Sequence, residues 1–481
     1  MLAGIYIRLI NITDREVIFD ESWVAFSVRQ ANVTDMLRTI KTTPLLFNFL
    51  VFFVNKIFPE GELSLRIVPF VFGVLGLPLI YHVSKRVTKS QTVGFISMIL
   101  LAFNSRHVNY SKDLKQYTCD IFFTLLILLL SEFIITSRKK ISIRETVIGV
   151  LVIVVSCLFS YPTAFLVITV FPILFNKFLS HKKDLLRLST SYVIGFLVLG
   201  IYYIIFAKDQ MGDANLLDFW VLEQAFPPVD TVGNVLIWLS SNLQDFLVSY
   251  PFGENMNFIW LLLVIPLLLK LTFPIKRVYY YYLGVLALLL IASFFKKYVF
   301  LGNRVTLFTL PFVLIIISVG IGEFIKIAKS KTVGLFLSCS VILLLFSPYF
   351  KETARREGVR YYNAWPEARQ YIEGNYEAGY VVLNFNLADE LWWYHLGDIC
   401  DGKNCDAEYK RTYDQLIEST NGTRKPYIIV MRQPFEASLS RRFHKQRKML
   451  LIYFQEDWII QEKFEKSHAY IYKIVPNSDQ V

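Results

Sequence analysis

Residues 63–84 read LSLRIVPFVFGVLGLPLIYHVS, an apolar stretch that ends at once in the cations Lys85 and Arg86. A helix rises about 1.5 Å per residue, so a run of this length crosses the roughly 30 Å hydrocarbon core of a bilayer. Of the 481 residues in the chain, 54% are hydrophobic. Similar runs recur along the sequence, and they predict a protein that crosses a membrane many times.

The apolar runs predict an α-helical polytopic membrane protein with about 11 transmembrane helices. The first run is short for a span, because 12 residues rise only about 18 Å as a helix. The apolar run at residues 47–58 is also too short for a span, and we interpret it as an interfacial or re-entrant helix. The predicted spans are residues 1–12, 63–84, 91–105, 119–137, 146–160, 163–179, 190–207, 256–270, 278–295, 305–325 and 332–350.

The loops between these runs predict the orientation of the chain. One alternate set of loops holds 17 Lys and Arg residues against two acids, which makes that side cytoplasmic by the positive-inside rule. The opposite loop 208–255 holds one Lys and seven acids. The cytoplasmic loops are therefore 85–90, 138–145, 177–187, 270–277 and 326–331, and the outer segments are 13–62, 106–118, 208–255, 296–304 and everything after 350.

Residues 351–481 differ in character from the transmembrane module at 1–350. Charged residues are frequent, and short apolar runs predict strands at 379–385, 426–431 and 468–475. Helices are predicted between them, at 366–373 and 407–419. Strands that alternate with helices predict a C-terminal soluble α/β domain, which the orientation puts on the non-cytoplasmic side.

Acidic residues in the first outer segment are the first candidates for chemistry. Asp20 and Glu21 follow the first apolar run in the stretch F-D-E-S-W. Such a pair is often only a solvated loop, but a carboxylate that takes a proton from an attacking hydroxyl also belongs close to the bilayer.

The second outer segment mixes cations, an acid and aromatic rings. Residues 109–117 read N-Y-S-K-D-L-K-Q-Y and contain Tyr110, Asp113, Lys115 and Tyr117. Tyr and Lys are common at membrane interfaces, and cations also gather where a lipid phosphate binds. From composition alone an interfacial belt and a phosphate clamp are equally good interpretations.

Two outer arginines are further candidates. Arg304 lies in L-G-N-R-V on the outer side, against the charge rule, which raises the case for a bound anion, although a snorkelling side chain remains the default interpretation. Arg66 lies at the outer end of its span, where it either ties the outer loop to the bundle or helps to bind the anion.

Several classes of protein are excluded by the sequence. The net charge of +11 is spread in short clusters between apolar runs, so nucleic acid is not a predicted partner. The chain has no G-x-x-x-x-G-K-[ST], no G-x-G-x-x-G after a strand and no H-E-x-x-H. With six scattered histidines, no metal or other cofactor is predicted.

Motifs in order along residues 1–320 resemble those of the GT-C membrane glycosyltransferases, especially the protein mannosyltransferase and aminoarabinose transferase branch (family 39-like). Two departures are clear: Lys115 stands where the family has Arg, which keeps the charge without the bidentate geometry, and Val305 stands where it has Tyr. The matching elements are Arg8 followed by Asp20-Glu21, Pro44-Leu45, Arg66 with Pro69, the stretch Y-H-V-S-K-R, the stretch Y-S-K-D-L-K-Q-Y, and Arg304 with Pro311.

The resemblance implies the GT-C fold and a sugar donor linked to polyprenyl phosphate, with inversion at the anomeric carbon. It implies that Asp20, with Glu21 beside it, is the general base and that Asp113 orients the acceptor or Lys115. The remaining implied roles are phosphate binding by Lys115, Arg304 and Arg66, and contacts to sugar or lipid by Tyr110 and Tyr117. Metal dependence varies in such enzymes, and none is predicted for this chain.

Other functions stay open at this point. A different polyprenyl-phosphate enzyme, such as a polysaccharide polymerase or ligase, would need the same outer acids and phosphate-binding cations. A lipid or sugar transporter would show inverted repeats and charged residues at mid-span, which the sequence does not clearly contain. A membrane scaffold or receptor would make the outer acids and cations incidental. The predicted location is a prokaryotic plasma (inner) membrane, with membrane lipids, the lipid-linked donor and a protein, lipid or glycan acceptor as partners.

Overall fold

The computed structural model contains two compact units. The helical unit comprises Met1–Ile12 and Ile40–Ala354, and the second unit comprises Thr13–Thr39 and Arg355–Val481. The structure describes residues 1–13, 17, 19–41, 43–58, 61–136, 140–208, 214–228, 231–252, 259–260, 263, 273–327, 332, 340–343, 365–375, 381–385, 407–410, 427–432, 447–448, 451, 458–466 and 469–476.

The helical unit is built mostly from apolar helices, and the longer ones lie at predicted spans, whereas Ala214–Leu222 and Val232–Gln244 are helices in the predicted outer loop 208–255. Their bounds are α1 Leu2–Leu9, α4 Leu45–Ile57, α5 Glu62–Thr88, α6 Gln91–Phe103, α7 Ser105–Tyr110, α8 Tyr117–Thr136, α9 Ile143–Phe159, α10 Thr163–Phe178, α11 Lys182–Tyr202, α12 Ala214–Leu222, α13 Val232–Gln244, α14 Phe273–Phe294 and α15 Leu310–Ile327. Two π-helical turns, Tyr203–Ala207 and Asp245–Ser249, follow α11 and α13, and a 3-10 turn, Arg304–Thr309, leads into α15.

Five helices of the described chain are long and apolar enough to cross a membrane, namely Glu62–Thr88, Tyr117–Thr136, Lys182–Ala207, Ile275–Phe294 and Arg304–Glu323. Shorter apolar helices cover Leu45–Ile57, Gln91–Phe103 and Thr163–Phe178. The predicted first span is a helix of only eight residues. Most of the predicted spans 256–270 and 332–350 lies outside the described residues.

Burial separates a central span from a peripheral one. The apolar window of Arg304–Glu323 is 94% buried inside the protein, whereas that of Lys182–Ala207 is 17% buried. A helix that is apolar on all sides can lie either in a core or against lipid. The first is therefore the centre of the bundle, and the second presents its side chains outward.

The second unit contains α2 Phe19–Val28, α3 Val33–Thr39, α16 Trp365–Asn375 and a mixed five-stranded sheet. The strands are β1 Val381–Phe385, β2 Ala407–Lys410, β3 Tyr427–Arg432, β4 Trp458–Lys466 and β5 Ala469–Pro476, in the order β2-β1-β3-β5-β4. Strands β1, β2 and β3 are parallel, and β5 pairs antiparallel with β3 and β4.

The three predicted strands and the helix at 366–373 are confirmed, but the helix at 407–419 is wrong over its first four residues. Ala407–Lys410 pair in parallel with β1 at the edge of the sheet. The strand forms because backbone pairing with a neighbour outweighs the weak local preference of A-E-Y-K. Residues 411–419 lie outside the described part of the chain.

Candidate active site

The outer segment between α6 and α8 is held in a fixed conformation by polar side chains. Asn104 caps α7 by accepting a hydrogen bond from the His107 amide at 3.0 Å. Its side-chain nitrogen also donates to the Pro251 carbonyl at 2.8 Å, which joins this segment to the turn after α13. The residues that carry the predicted chemistry therefore lie on a supported backbone rather than on a solvated loop.

Arg8 of α1 holds the segment between α6 and α8 in place. Its side chain is fully buried and donates to the carbonyls of Gly4 at 2.7 Å and Ala102 at 2.9 Å. It also donates to Ser111 Oγ at 3.1 Å and contacts His107 Nδ1 at 2.7 Å. Because these contacts join α1, α6 and α7, the first arginine of the family pattern has a structural position in this chain.

His107 is neutral in this network. Burial, reinforced by the adjacent Arg8 guanidinium, holds the pKa of His107 well below its usual value. Nδ1 accepts the hydrogen bond from Arg8, so the ring proton is on Nε2. In the described part of the chain, Nε2 is buried with no hydrogen-bond partner.

Close packing against α5 completes the support. A methyl group in place of the Gly73 hydrogen would lie 2.6 Å from Ser111 Oγ, so only glycine lets the two segments approach this closely. Thr118 Oγ1 donates to the Pro69 carbonyl at 2.8 Å, which joins the start of α8 to α5 beside the proline inside that helix.

Two outer cations bind the backbone that leaves α1. Lys112 Nζ donates to the Ile10 carbonyl at 2.8 Å, and Arg66 Nη1 donates to the Ile12 carbonyl at 2.7 Å. Arg66 is 1% exposed and pairs with Glu62 at 2.6 Å. The contacts of Arg66 with Ile12 and Glu62 agree with the interpretation in which Arg66 ties the outer loop to the helix bundle.

Asp113 and Lys115 lie in the turn between α7 and α8. Both are buried, at 7% and 6% exposure, and the Lys115 amide donates to the Asp113 carbonyl at 2.7 Å. A cation in a water-poor setting interacts with a phosphate more strongly than one in open solvent. This turn therefore concentrates charge close to the outer end of α8.

Tyrosines pack beside this turn. The rings of Tyr110 and Tyr117 meet edge to face, with centroids 4.9 Å apart. Tyr250 Oη donates to Tyr110 Oη at 3.2 Å, and Arg106 lies over the Tyr250 ring at 4.9 Å. Burial, more than any neighbouring charge, raises the pKa of Tyr250 well above its usual value, so its hydroxyl stays protonated.

Arg304 begins the 3-10 turn that leads into α15. Asn303 caps this turn in a reciprocal arrangement with Thr306, and Tyr298 Oη donates to the Val305 carbonyl at 2.8 Å. A methyl group at Gly302 would lie 2.5 Å from the Asp245 carbonyl carbon and 2.7 Å from the Phe246 nitrogen. The loop that carries Arg304 is therefore seated directly on the π-helical turn after α13.

The turn after α13 connects the two candidate phosphate-binding segments. The π-helical turn Asp245–Ser249 contacts the Arg304 loop, and Phe246 packs on Phe300 with centroids 4.8 Å apart. Immediately after this turn, Tyr250 and Pro251 bind the segment that carries Lys115. The structure thus places Asp113 and Lys115 in one turn, with Tyr110 and Tyr117 at its two ends, and links that turn, through residues 245–252, to the loop of Arg304.

Asp120 is a buried acid in the first turn of α8 that the sequence analysis did not select. It is 2% exposed and hydrogen-bonded to Ser160, whose hydroxyl also accepts from Thr163 Oγ1 at 2.6 Å. Its Oδ1 has no hydrogen-bond partner among the described residues. An ionisable residue at the end of an apolar run was the available signal, since such residues mark functional sites in membranes.

Tyr298 lies near this acid. Burial first, and then the charges of Asp120 and the nearby Tyr117, raise the pKa of Tyr298 well above its usual value. The Tyr298 hydroxyl therefore stays protonated near neutral pH, as its hydrogen bond to the Val305 carbonyl requires.

Asp20 and Glu21 belong to the second unit. Both lie in the first turn of α2, where negative charge is favourable beside the exposed amides of a helix N-terminus. Glu21 is 2% exposed, and Asp20 is partly exposed. Within the described residues, no three His, Cys, Asp or Glu side chains are grouped as metal ligands.

Comparisons with known proteins identify the fold. Residues 42–206 match the family of dolichyl-phosphate-mannose-protein mannosyltransferases. The structure resembles ArnT from Cupriavidus metallidurans bound to undecaprenyl phosphate, with a TM-score of 0.52 and 9% identity over 98% of this chain and 96% of that one. AglB, an oligosaccharyltransferase from Archaeoglobus fulgidus, in complex with an inhibitory peptide and a dolichol-phosphate, matches with a TM-score of 0.46 and 10% identity over 100% of this chain and 74% of that one.

No curated protein sequence matches the chain. The architecture is that of an integral membrane protein with the GT-C fold and a small C-terminal sheet. The chain therefore has the fold of the GT-C membrane glycosyltransferases, and the family match covers residues 42–206 of its 481 residues. The matched stretch 42–206 contains Arg66, Asp113 and Lys115, whereas Asp20 and Arg304 lie outside it.

Proposed function

We propose that the protein is an inverting glycosyltransferase that moves a sugar from a polyprenyl-phosphate-linked donor to an acceptor hydroxyl at the outer face of the membrane. The observation that carries this proposal is the buried turn with Asp113 and Lys115, joined through residues 245–252 to the loop of Arg304. The undecaprenyl phosphate bound to ArnT, a protein of the same fold, supports a lipid phosphate as the donor group.

The chemistry requires little acid catalysis. The acceptor oxygen forms a bond to the anomeric carbon while the bond from that carbon to the phosphate oxygen breaks, and polyprenyl phosphate leaves with the electron pair. Lys115 and Arg304 stabilise the negative charge that develops on the phosphate. Asp20 takes the proton of the acceptor hydroxyl, with Glu21 beside it, and Asp113 orients the acceptor or Lys115.

The remaining residues shape the site. Tyr110 and Tyr117 supply aromatic faces for the sugar or the first isoprene units. Arg66 contributes mainly by fixing the backbone at Ile12. The reaction takes place on the side that the charge pattern of the loops predicts to be outside, in a plasma membrane, with the C-terminal domain on that side.

The test is an assay in proteoliposomes with radiolabelled polyprenyl-phosphate sugars. The wild type should release polyprenyl phosphate in a one-to-one ratio with a new glycoside of opposite anomeric configuration. Asp20→Asn should reduce the rate at least about 100-fold, as loss of a general base does. Asp35→Asn is the matched control, because Asp35 is an acid in the same 13–39 segment whose side chain pairs with Asn32 and Arg38.

A second pair of variants tests the phosphate site. Lys115→Gln should lower the rate about 100-fold by removing a charge that faces the leaving group, whereas Lys115→Arg should retain most of the activity because it restores the residue of the family pattern. Transport of intact donor without cleavage, or cleavage with equal rates in Lys115→Gln and wild type, would contradict the proposal.

A further inference from the structure

A pocket lies at the opposite end of the bundle from the candidate active site. It has a volume of about 340 Å³ and is formed by the last turns of α5 and α8. Four of its six lining residues are basic or histidine and none is acidic: the lining is His82, Lys85, Arg86, Lys89, Leu129 and Phe133. We refer to these six residues as the α5 basic pocket.

Arg86 is held in place inside this pocket. Its Nη2 donates to Thr136 Oγ1 at 2.7 Å, and its guanidinium carbon lies 3.5 Å from the centroid of the Phe133 ring. Its Nε is buried and has no hydrogen-bond partner in the described chain. An arginine fixed by stacking, with a donor still available, is prepared to bind a planar or tetrahedral oxyanion.

The described residues do not neutralise the positive charge of the pocket. Among the described residues, none of Lys85, Arg86 and Lys89 forms an ion pair with an acid. The buried acid on the adjacent turn of α8, Glu132, is fully engaged by Arg277 in two hydrogen bonds of 3.0 and 2.7 Å. Three cations around one cavity repel each other, so an anion bound there would be stabilised.

Basic residues at the cytoplasmic ends of spans are common and need no ligand. Arg144, Lys182 and Lys183 are examples in this chain, because they are exposed in the first turns of α9 and α11 on the same predicted side. The α5 basic pocket differs from them in that its cations surround a cavity with a fixed arginine and an aromatic wall.

We propose that the α5 basic pocket binds the phosphate headgroup of an anionic glycerophospholipid of the cytoplasmic leaflet. Basic pockets between transmembrane helices on this side bind such headgroups. The apolar wall favours a lipid over a soluble anion, since Phe133 is 48% exposed and offers a surface to an acyl chain. This site is independent of the proposed transfer reaction.

Lipid binding to the purified full-length protein tests the proposal, with native mass spectrometry as the readout. The probes are dimyristoyl phosphatidylglycerol, dimyristoyl phosphatidylcholine and inorganic phosphate. The wild type should bind one phosphatidylglycerol at least about tenfold more tightly than phosphatidylcholine, because each basic residue near the headgroup adds roughly a fivefold preference for negative charge. Inorganic phosphate should not displace it at millimolar concentration.

A triple variant locates the site. Lys85→Gln, Arg86→Gln and Lys89→Asn together should weaken phosphatidylglycerol binding about 100-fold. Asparagine is used at Lys89 because this residue has a φ of 56°, which asparagine tolerates well. The control, with the same loss of three charges, is Arg144→Gln, Lys182→Gln and Lys183→Gln, and its binding should change less than about threefold.

Three results would overturn the proposal: equal affinity for the two lipids in the wild type, equal loss of binding in the two triple variants, or displacement by inorganic phosphate, which would assign the pocket to a soluble anion. The comparison of lipids in the wild type does not depend on the folding of any variant. Lys89→Asn alone alters one side chain at the end of α5 and should still weaken binding about fivefold.

Discussion

Asp120 and Glu132 are buried carboxylates on the same helix, α8, but the structure pairs them differently. Glu132, at the predicted cytoplasmic end, is 1% exposed and receives two hydrogen bonds from Arg277 of α14. Asp120, at the outer end, is 2% exposed and bonded to Ser160, with Oδ1 left without a partner in the described chain. A paired acid fixes two helices together, whereas an acid with an open oxygen is available to a neighbouring group or a ligand.

The same contrast extends to the surroundings of each acid. The outer end of the bundle is assembled from loops that hold one another by single hydrogen bonds to carbonyls, as at Pro251, Ile10 and Ile12. Near the inner end a bidentate ion pair joins two long helices directly. We therefore expect changes at the inner end to alter stability and changes at the outer end to alter activity.

The largest effect is expected from Arg277→Gln. It leaves the Glu132 charge buried without its partner, which typically costs about 3–5 kcal/mol of unfolding free energy. The double variant Arg277→Gln with Glu132→Gln removes both charges and should recover most of that loss. Thermal or SDS-induced unfolding of the purified protein measures both, and equal destabilisation of the single and double variants would show that the pair is not what holds these helices.

The next effect concerns the loop of Arg304. Gly302→Ala puts a methyl group 2.5 Å from the Asp245 carbonyl carbon, so the loop must move, at a cost of about 1–3 kcal/mol. Sugar transfer should fall with it, because Arg304 moves with the loop. Gly200→Ala is the control, since a methyl group there meets no atom of the described chain within 4 Å, and full activity in both variants would separate Arg304 from the reaction.

A smaller effect depends on pH and on His107. Its pKa in the folded protein is lowered below the ordinary value of 6.5, so the unfolded chain binds more protons than the folded one below that pH. The stability from the neutral ring is complete above pH 6.5 and is lost as the pH falls towards the lowered pKa. At pH 5.5 the loss should be on the order of 1 kcal/mol.

His107→Asn provides the control for this pH dependence. The asparagine oxygen can accept from Arg8 where Nδ1 does, and it does not titrate. The variant should lose less unfolding free energy than the wild type between pH 7.5 and 5.5. Parallel pH curves for the two proteins would mean that other groups account for the acid sensitivity.

The spans and the sheet could be predicted from the sequence because their signals are local. Runs such as residues 63–84 contain enough apolar residues to fix a helix on their own, and the strands near 427 and 469 are short and β-branched. The strand Ala407–Lys410 could not be found in this way, since its four residues become a strand only by pairing with β1.

The candidate site was only partly predictable, for the same reason. Lys115 and Arg304 stand out because outer segments are expected to contain few Lys and Arg residues, and Asp113 stands out because it lies close to Lys115 in the sequence. Tyr250 and Gly302 gain their importance from contacts over more than 50 residues of sequence, which no local pattern reports. Asp120 is hidden differently, because it opens an apolar helix and its hydrogen-bond partner, Ser160, lies just beyond the end of another helix, α9.

Asp120→Asn gives the finest test of the comparison. The amide keeps the size of the side chain and can still accept from Ser160, so the unfolding free energy should change by less than about 1 kcal/mol. The carboxyl group near Tyr117 and Tyr298 is replaced by an amide, which changes the hydrogen bonding of this cluster, so kcat should fall about tenfold with little change in the KM for the donor. Glu132→Gln should do the reverse, with lower stability and an unchanged kcat for the folded fraction. An Asp120→Asn variant with full activity, or one as unstable as Arg277→Gln, would mean that both carboxylates of α8 serve only the packing of the bundle.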